Sequence, residues 1–268
     1  MKTLLTILNF SIYDNRYDPQ SNVLLEQACE KAGVPCAIVN FDREVRPTVD
    51  SPLVWLRYDI RSKRDLMWIL EVAAALRNAG KKVFPSPRAI WLAEDKWETH
   101  LVLARAGVPI PRTLQAKDLH LCGFPVIIKA RVGWGGMENK ILFSEADLAV
   151  LPPYNPKEFI CQTYIDHPGT LIMAIAGNQE ICCIEDEGES AFAESRVAIL
   201  PAPKGALELS RQALRATGLV TGTVDMLESP DGLKVLEVNS APRLTYPHLP
   251  QADLAGPMCK AVLESFAL

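Results

Sequence analysis

The sequence predicts an α/β first third followed by an α+β remainder, and three observations carry that prediction. Strand-like apolar runs alternate with amphipathic helical runs as far as residue 84, the pattern of a small parallel sheet with helices packed on it. Pro85 and Pro87 then mark a joint. Beyond it, short strands follow one another and end in a hairpin with an acid on each strand, Asp225 on the first and Glu237 on the second.

The elements follow in order. Residues 1–8 read as a buried first strand, being too short and too soon polar for a secretory signal. After a polar loop, residues 21–33 form a helix that opens at Ser21 and closes on Gly33. Strands at 36–41 and 53–56, a helix at 65–79 closed by Gly80, and a strand at 82–84 complete the first unit. A helix over 88–106 ends at Gly107 and the Val108-Pro109-Ile110-Pro111 break. The strand at 124–130 runs into Gly133-Trp134-Gly135-Gly136, the return strand covers 140–143, and Ser144 opens a short helix. Strands at 159–165, 171–176 and 179–184 precede an acidic stretch, 185–189, expected at an exposed loop or strand edge. A helix at 207–217, ended by Gly218, leads into the hairpin, whose turn is Glu228-Ser229-Pro230-Asp231-Gly232. There is no internal repeat or low-complexity segment.

Composition narrows the function classes. The chain has 268 residues and a formal charge of −4, so no nucleic-acid footprint or polybasic membrane patch is implied. No apolar run approaches a bilayer span. The seven cysteines show no C-x-x-C spacing and number one too many for complete pairing. They read as reduced, small apolar core residues, and a cytoplasmic protein is expected.

The hairpin is the most informative stretch. Glu237 and Asn239 lie two apart on a strand, so both point to one face, and the turn brings Asp225 beside them. Three hard oxygen donors suit Mg2+ that keeps sites open for phosphates; the plainer alternative is a hairpin with ordinary edge acids. Upstream, Asp95-Lys96 reads as a lysine-bearing helix start, Lys129 ends an apolar strand before the glycine turn, and a strand with Gln162-Thr163-Tyr164-Ile165-Asp166, read as a hinge, follows. Each has a bland reading: a solvated lysine, a β-turn, a glutamine on an exposed strand face. The glycine spacing fits neither a Walker loop nor a dinucleotide fingerprint. In this order, however, they supply two ammonium groups for phosphates, backbone amides to lie over them, a strand edge for a purine and a divalent-cation site.

This ordered set resembles the ATP-grasp superfamily, and within it the ribosomal-protein glutamate ligase (RimK) type of carboxylate–amine ligase. The resemblance covers roughly residues 83–241 and is strongest at 93–113, 124–136 and 222–242. It implies an ATP-grasp fold behind a small parallel α/β domain, divided at 1–87, 88–165 and 166–268. It implies that Lys96 and Lys129 hold the α- and β-phosphates under a loop containing Gly133, Gly135 and Gly136. The backbone of Thr163, Tyr164 and Ile165 would take the adenine edge, with Gln162 and Asp166 near purine and ribose. Asp225, Glu237 and Asn239 would carry Mg2+. The implied reaction forms an acylphosphate from a carboxylate and ATP, then an amide with an amine, on amino-acid or peptide-type substrates.

Two departures stand out. The stretch after the hinge, Asp166-His167-Pro168-Gly169-Thr170, lacks the family's arginine, and the next strand ends in Glu185, Asp186 and Glu187 where basic residues are usual. Arg196 and Arg243 are the replacement catalytic candidates, and the three acids could receive a cationic amine. Arg57 and Tyr58, and Tyr13, Asp14 and Asn15, stand at strand ends where ligands gather in open α/β sheets; His248 is a weaker candidate. A phosphotransferase on the same scaffold, or a nucleotide-binding sensor without turnover, are the alternatives. Homo-oligomerisation is left open.

Overall fold

The computed structural model describes residues 4–10, 21–43, 46–133, 139–151, 154–187, 197–246, 249 and 252–267. Among them, three sheets are stacked along the chain. The first is parallel, in the order β2-β1-β3-β4, from β1 (Leu5–Phe10), β2 (Cys36–Phe41), β3 (Leu53–Tyr58) and β4 (Lys82–Phe84). Its strands are apolar on both faces because helices cover both. Leu5, Ile7 and Trp55 point into a core shared with α1 (Ser21–Lys31), whereas Leu8, Val54 and Leu56 point to α2 (Lys63–Asn78). Ser62 caps α2 by accepting from the Asp65 amide, and the Asp65 carboxylate accepts in return from the Ser62 hydroxyl.

The second sheet is antiparallel, β5-β8-β6-β7, from β5 (Thr113–Gln115), β6 (Val126–Ala130), β7 (Lys140–Leu142) and β8 (Phe159–Thr163). Its core is small and separate, built on Leu119, Cys122, Val126, Ile128, Leu142 and Cys161. The third is also antiparallel, β11-β10-β9-β12-β13, from β9 (Thr170–Ala176), β10 (Gln179–Asp186), β11 (Val197–Leu200), β12 (Thr221–Ser229) and β13 (Gly232–Asn239). Helices α5 (Ala206–Thr217) and α6 (Ala255–Ala267) pack on it, and α6 also packs on α1, so one apolar core runs from the third sheet to the first.

Two differences from the sequence expectations matter for the site. The helix expected over 88–106 is two helices, α3 (Pro87–Glu94) and α4 (Lys96–Arg105), because Asp95 leaves helical geometry to cap α4. The strand expected to run to residue 165 stops at Thr163, and residues 164–169 cross from the second sheet to the third. β5, β11 and α6 were not anticipated. The cysteines are free, and all but the half-buried Cys36 are buried, as small apolar residues should be.

Candidate active site

An acidic wall comes from the β12–β13 hairpin. Its register sets Asp225 opposite Glu237 and Thr223 opposite Asn239, so all four share a face. Between Asp225 and Met226 the register shifts: Met226 pairs with Val235, and Leu236 is the extra residue. This bulge lets Val235 and Val238, three apart, both enter the core while Glu237 and Asn239 face the cleft. A regular strand would have put Val235 on the same face as Glu237. Gly222 secures the register near the end of β13: a Cβ there would lie 2.5 Å from the Asn239 carbonyl oxygen, so only glycine permits the approach. The Asn239 amide donates to Asp225 Oδ1 at 3.2 Å.

A cationic wall faces it. Asp95 Oδ1 accepts from the amides of Trp97 and Glu98, and the same carboxylate takes a two-pronged pair from Arg131, Nε–Oδ1 3.1 Å and Nη2–Oδ2 2.7 Å. The Lys96 amide donates to the Arg131 carbonyl at 2.8 Å, which ties the start of α4 to the exit of β6. Lys96 Nζ donates to the Gly133 carbonyl at 2.5 Å and lies 3.7 Å from Glu237 Oε2. Gly133 has φ +128°, a conformation side chains disfavour, and passes close to the Arg61 carbonyl. Lys129 Nζ donates to Gln162 Oε1 at 3.0 Å, and Gln162 Nε2 donates to Thr113 Oγ1 at 2.9 Å. Gln162 is therefore a buried strut that aims Lys129, rather than a polar residue on an exposed face.

The two walls perturb each other. Burial pulls the Lys129 ammonium down to about 8, with Lys96 adding repulsion and Glu237 and Asp225 opposing the shift. Burial, then Glu237, pushes Asp225 well above the carboxylate range. Burial also raises Glu237, but Lys96 and Lys129 outweigh it and hold that carboxyl below its usual value. Glu94, half-buried at the end of α3, is raised to about 7, chiefly by the desolvation of its carboxyl.

The hinge residues lie at the end of β8. The Thr163 and Tyr164 amides are taken by the carbonyls of Arg112 and Pro125. Asp166 is exposed, 3.5 Å from the Tyr164 hydroxyl. Arg243 follows β13 with its guanidinium 5.8 Å from the Tyr246 ring centre. Asp225 and Asp186 both raise the Tyr246 hydroxyl, whose main perturbation is burial, so the acidic end of β10 adjoins this corner. Gly135, Gly136, Arg196, Tyr13, Asp14, Asn15 and His248 lie outside the described residues. Sequence reasoning missed Arg131, Glu94 and Ser240. No local pattern points to Arg131, whose pairing with Asp95 spans 36 positions.

The donor set at the hairpin fits magnesium. Among the described residues no group of three or more His, Cys, Asp or Glu side chains is spaced to hold a metal. Two crowded carboxylates and an amide are instead what Mg2+ uses when phosphate oxygens complete its shell.

Comparison with known proteins finds similar domains, chains and folds. Residues 93–192 match the family model of the ATP-grasp domain. The chain is 28% identical over 250 residues to the glutamate–LysW ligase of Sulfurisphaera tokodaii, covering 83% of this chain and 86% of that protein. The fold is similar to that of a D-cycloserine synthetase, with TM-score 0.76, 18% identity and coverage of 97% and 99% of the two chains. It is also similar to a RimK domain ATP-grasp protein of Sphaerobacter thermophilus, with TM-score 0.70, 17% identity and coverage of 96% and 99%. Residues 93–192 therefore resemble the ATP-grasp domain, and the chain as a whole has the ATP-grasp fold. Within that class the chain resembles the ribosomal-protein glutamate ligase type of carboxylate–amine ligase.

Proposed function

We propose that the chain is an ATP- and magnesium-dependent ligase that joins a carboxylate to an amine on amino-acid or peptide-type substrates. One observation carries the reading: two lysines from one pair of elements converge on two acids of another, with Lys96 Nζ 3.7 Å from Glu237 Oε2. Such a cleft has charge of both signs for a polyphosphate and its cation.

In this reading the substrate carboxylate attacks the γ-phosphorus of ATP and ADP leaves. The amine then attacks the acyl carbon of the acylphosphate and expels phosphate, leaving an amide. Lys96 and Lys129 hold the α- and β-phosphates, and Gln162 keeps Lys129 aimed. The purine edge is assigned to the end of β8, where residues 163–165 begin the crossing from the second sheet to the third. Asp225, Glu237 and Asn239 would hold Mg2+, whose charge offsets that of the transferring phosphoryl group. Arg243 lies on the segment that leaves the metal strand, where it can stabilise the acylphosphate; Arg196 is its proposed helper. Residues 1–87 form the substrate side, 88–165 the nucleotide lobe and 166–268 the metal-bearing lobe. Among the described residues no helix is long and apolar enough to cross a membrane, in keeping with the cytoplasmic location we propose.

A screen of amino acids, small peptides and amines for stimulated ADP release tests the proposal. Release that needs both a carboxylate and an amine is expected. A phosphorylated product formed without any amine would define a phosphotransferase instead, and nucleotide binding without stimulated turnover a sensor.

A further inference from the structure

The segment leaving the metal strand passes over the end of β3, and side chains from both faces of β3 grip it. Arg57, on one face, donates from Nη2 to the Pro242 carbonyl at 3.3 Å. Tyr58, on the other, places its hydroxyl 2.5 Å from Ser240 Oγ. Ser240 Oγ in turn donates to Glu94 Oε1 at 2.6 Å. A serine hydroxyl has one proton, so with that proton on Glu94 it must accept from Tyr58. The relay therefore runs Tyr58 to Ser240 to Glu94 and ties three parts together: the parallel sheet, the exit of the metal strand and the turn that carries Lys96. Ala241 packs into the core beneath α2, between the two gripped residues.

Asn239 is thus held from two sides. On one side is β12, where Gly222 allows close approach to its carbonyl. On the other is the relay, through the adjoining Ser240. An apolar contact could close this interface with less desolvation, but it would not fix a direction. Short hydrogen bonds fix both distance and angle.

We propose that Tyr58, Ser240 and Glu94 are positioning residues through which the N-terminal sheet sets Asn239 and the Arg243 segment for magnesium and phosphoryl binding. The inference rests on the ligase reading above.

The test uses the full chain with ADP and Mg2+ as probes, followed by turnover with the substrates found in the screen. Tyr58→Phe and Ser240→Ala should leave ADP affinity without metal within about 2-fold, but weaken Mg2+ binding to the ADP complex by about 5- to 10-fold, the scale of one lost hydrogen bond. In turnover, kcat should fall by a similar factor with the KM for ATP little changed, the mark of an interaction used in the transition state. Glu94→Gln keeps an acceptor for Ser240 and should stay close to the parent, whereas Glu94→Leu should behave like Ser240→Ala. Thermal melts establish that each variant is folded. Folded variants with a lower Tm but parental Mg2+ affinity and kcat would overturn the relay while leaving the ligase reading intact. A parent chain that binds no Mg-ADP would overturn both.

Discussion

The acidic and cationic walls of the cleft are positioned by different means. Asp225 and Glu237 are adjacent because two neighbouring strands of one hairpin pair in a fixed register. Lys96 and Lys129 come from a helix start and a strand of another sheet, and each is aimed by a contact distant in sequence. Lys96 rests on the Gly133 carbonyl, and Lys129 on Gln162. Neither wall is comfortable alone. Burial lowers Lys129 and, with Glu237, raises Asp225, so each wall carries its charge at a cost and the two together suit a ligand of both signs.

The largest test of this contrast is Asp225→Asn. Removing one of two crowded acids should stabilise the ligand-free chain against urea, yet lower ADP-forming turnover by at least ~100-fold, the effect of losing several kcal/mol of charge stabilisation. Lower stability together with retained turnover would show that the acidic wall is structural. Next, Lys129→Ala should weaken ATP binding by about 1.5–3 kcal/mol in calorimetry. Gln162→Ala should reproduce part of that loss, and the double variant should be no worse than Lys129→Ala. Additive losses would separate strut from lysine.

Proton linkage gives a finer measure. Lys129 titrates near 8 in the free chain, and bound phosphates raise that value. Above pH 8 the complex then holds a proton that the free chain has released, so ATP affinity falls as pH rises and binding takes up protons. Calorimetry in buffers of different ionisation enthalpy should show the uptake, and Lys129→Met should abolish it. The smallest effect belongs to Glu94. Its folded value of about 7 lies above the ordinary 4.5, so between those values the folded chain keeps a proton that the unfolded chain has lost. Its contribution to stability is full below about 4.5 and is lost as pH rises through 7. Urea midpoints for Glu94→Gln should show a shallower decline over that window than the parent.

Much of the acidic wall was legible in the sequence. The turn at Glu228–Gly232 marks the hairpin, and two-residue spacing places Glu237 and Asn239 on one face without knowledge of any other element. The bulge at Leu236 was not legible, because the choice between a regular strand and a bulged one is settled by which valines the core can accommodate. The cationic wall was legible only as residue types. Gln162 read as a residue near the purine or on an exposed strand face, and its role as a strut was hidden because its partners, Thr113 and Lys129, are 49 and 33 positions away. The helix start at Asp95-Lys96 was legible, but the pairing of Asp95 with Arg131 was not, because it spans 36 positions.

The sequence by itself determined the alternation of strands and helices, the hairpin and the identity of its acids. Each depends on local periodicity and turn chemistry, which act over a few residues. Tertiary structure alone decided that Lys96 meets Glu237, that Gln162 aims Lys129, and that Tyr58 reaches Ser240 across 182 positions. Those outcomes depend on how three sheets pack. Burial and opposing charge then set which of these groups stays ionised, and no local pattern encodes either.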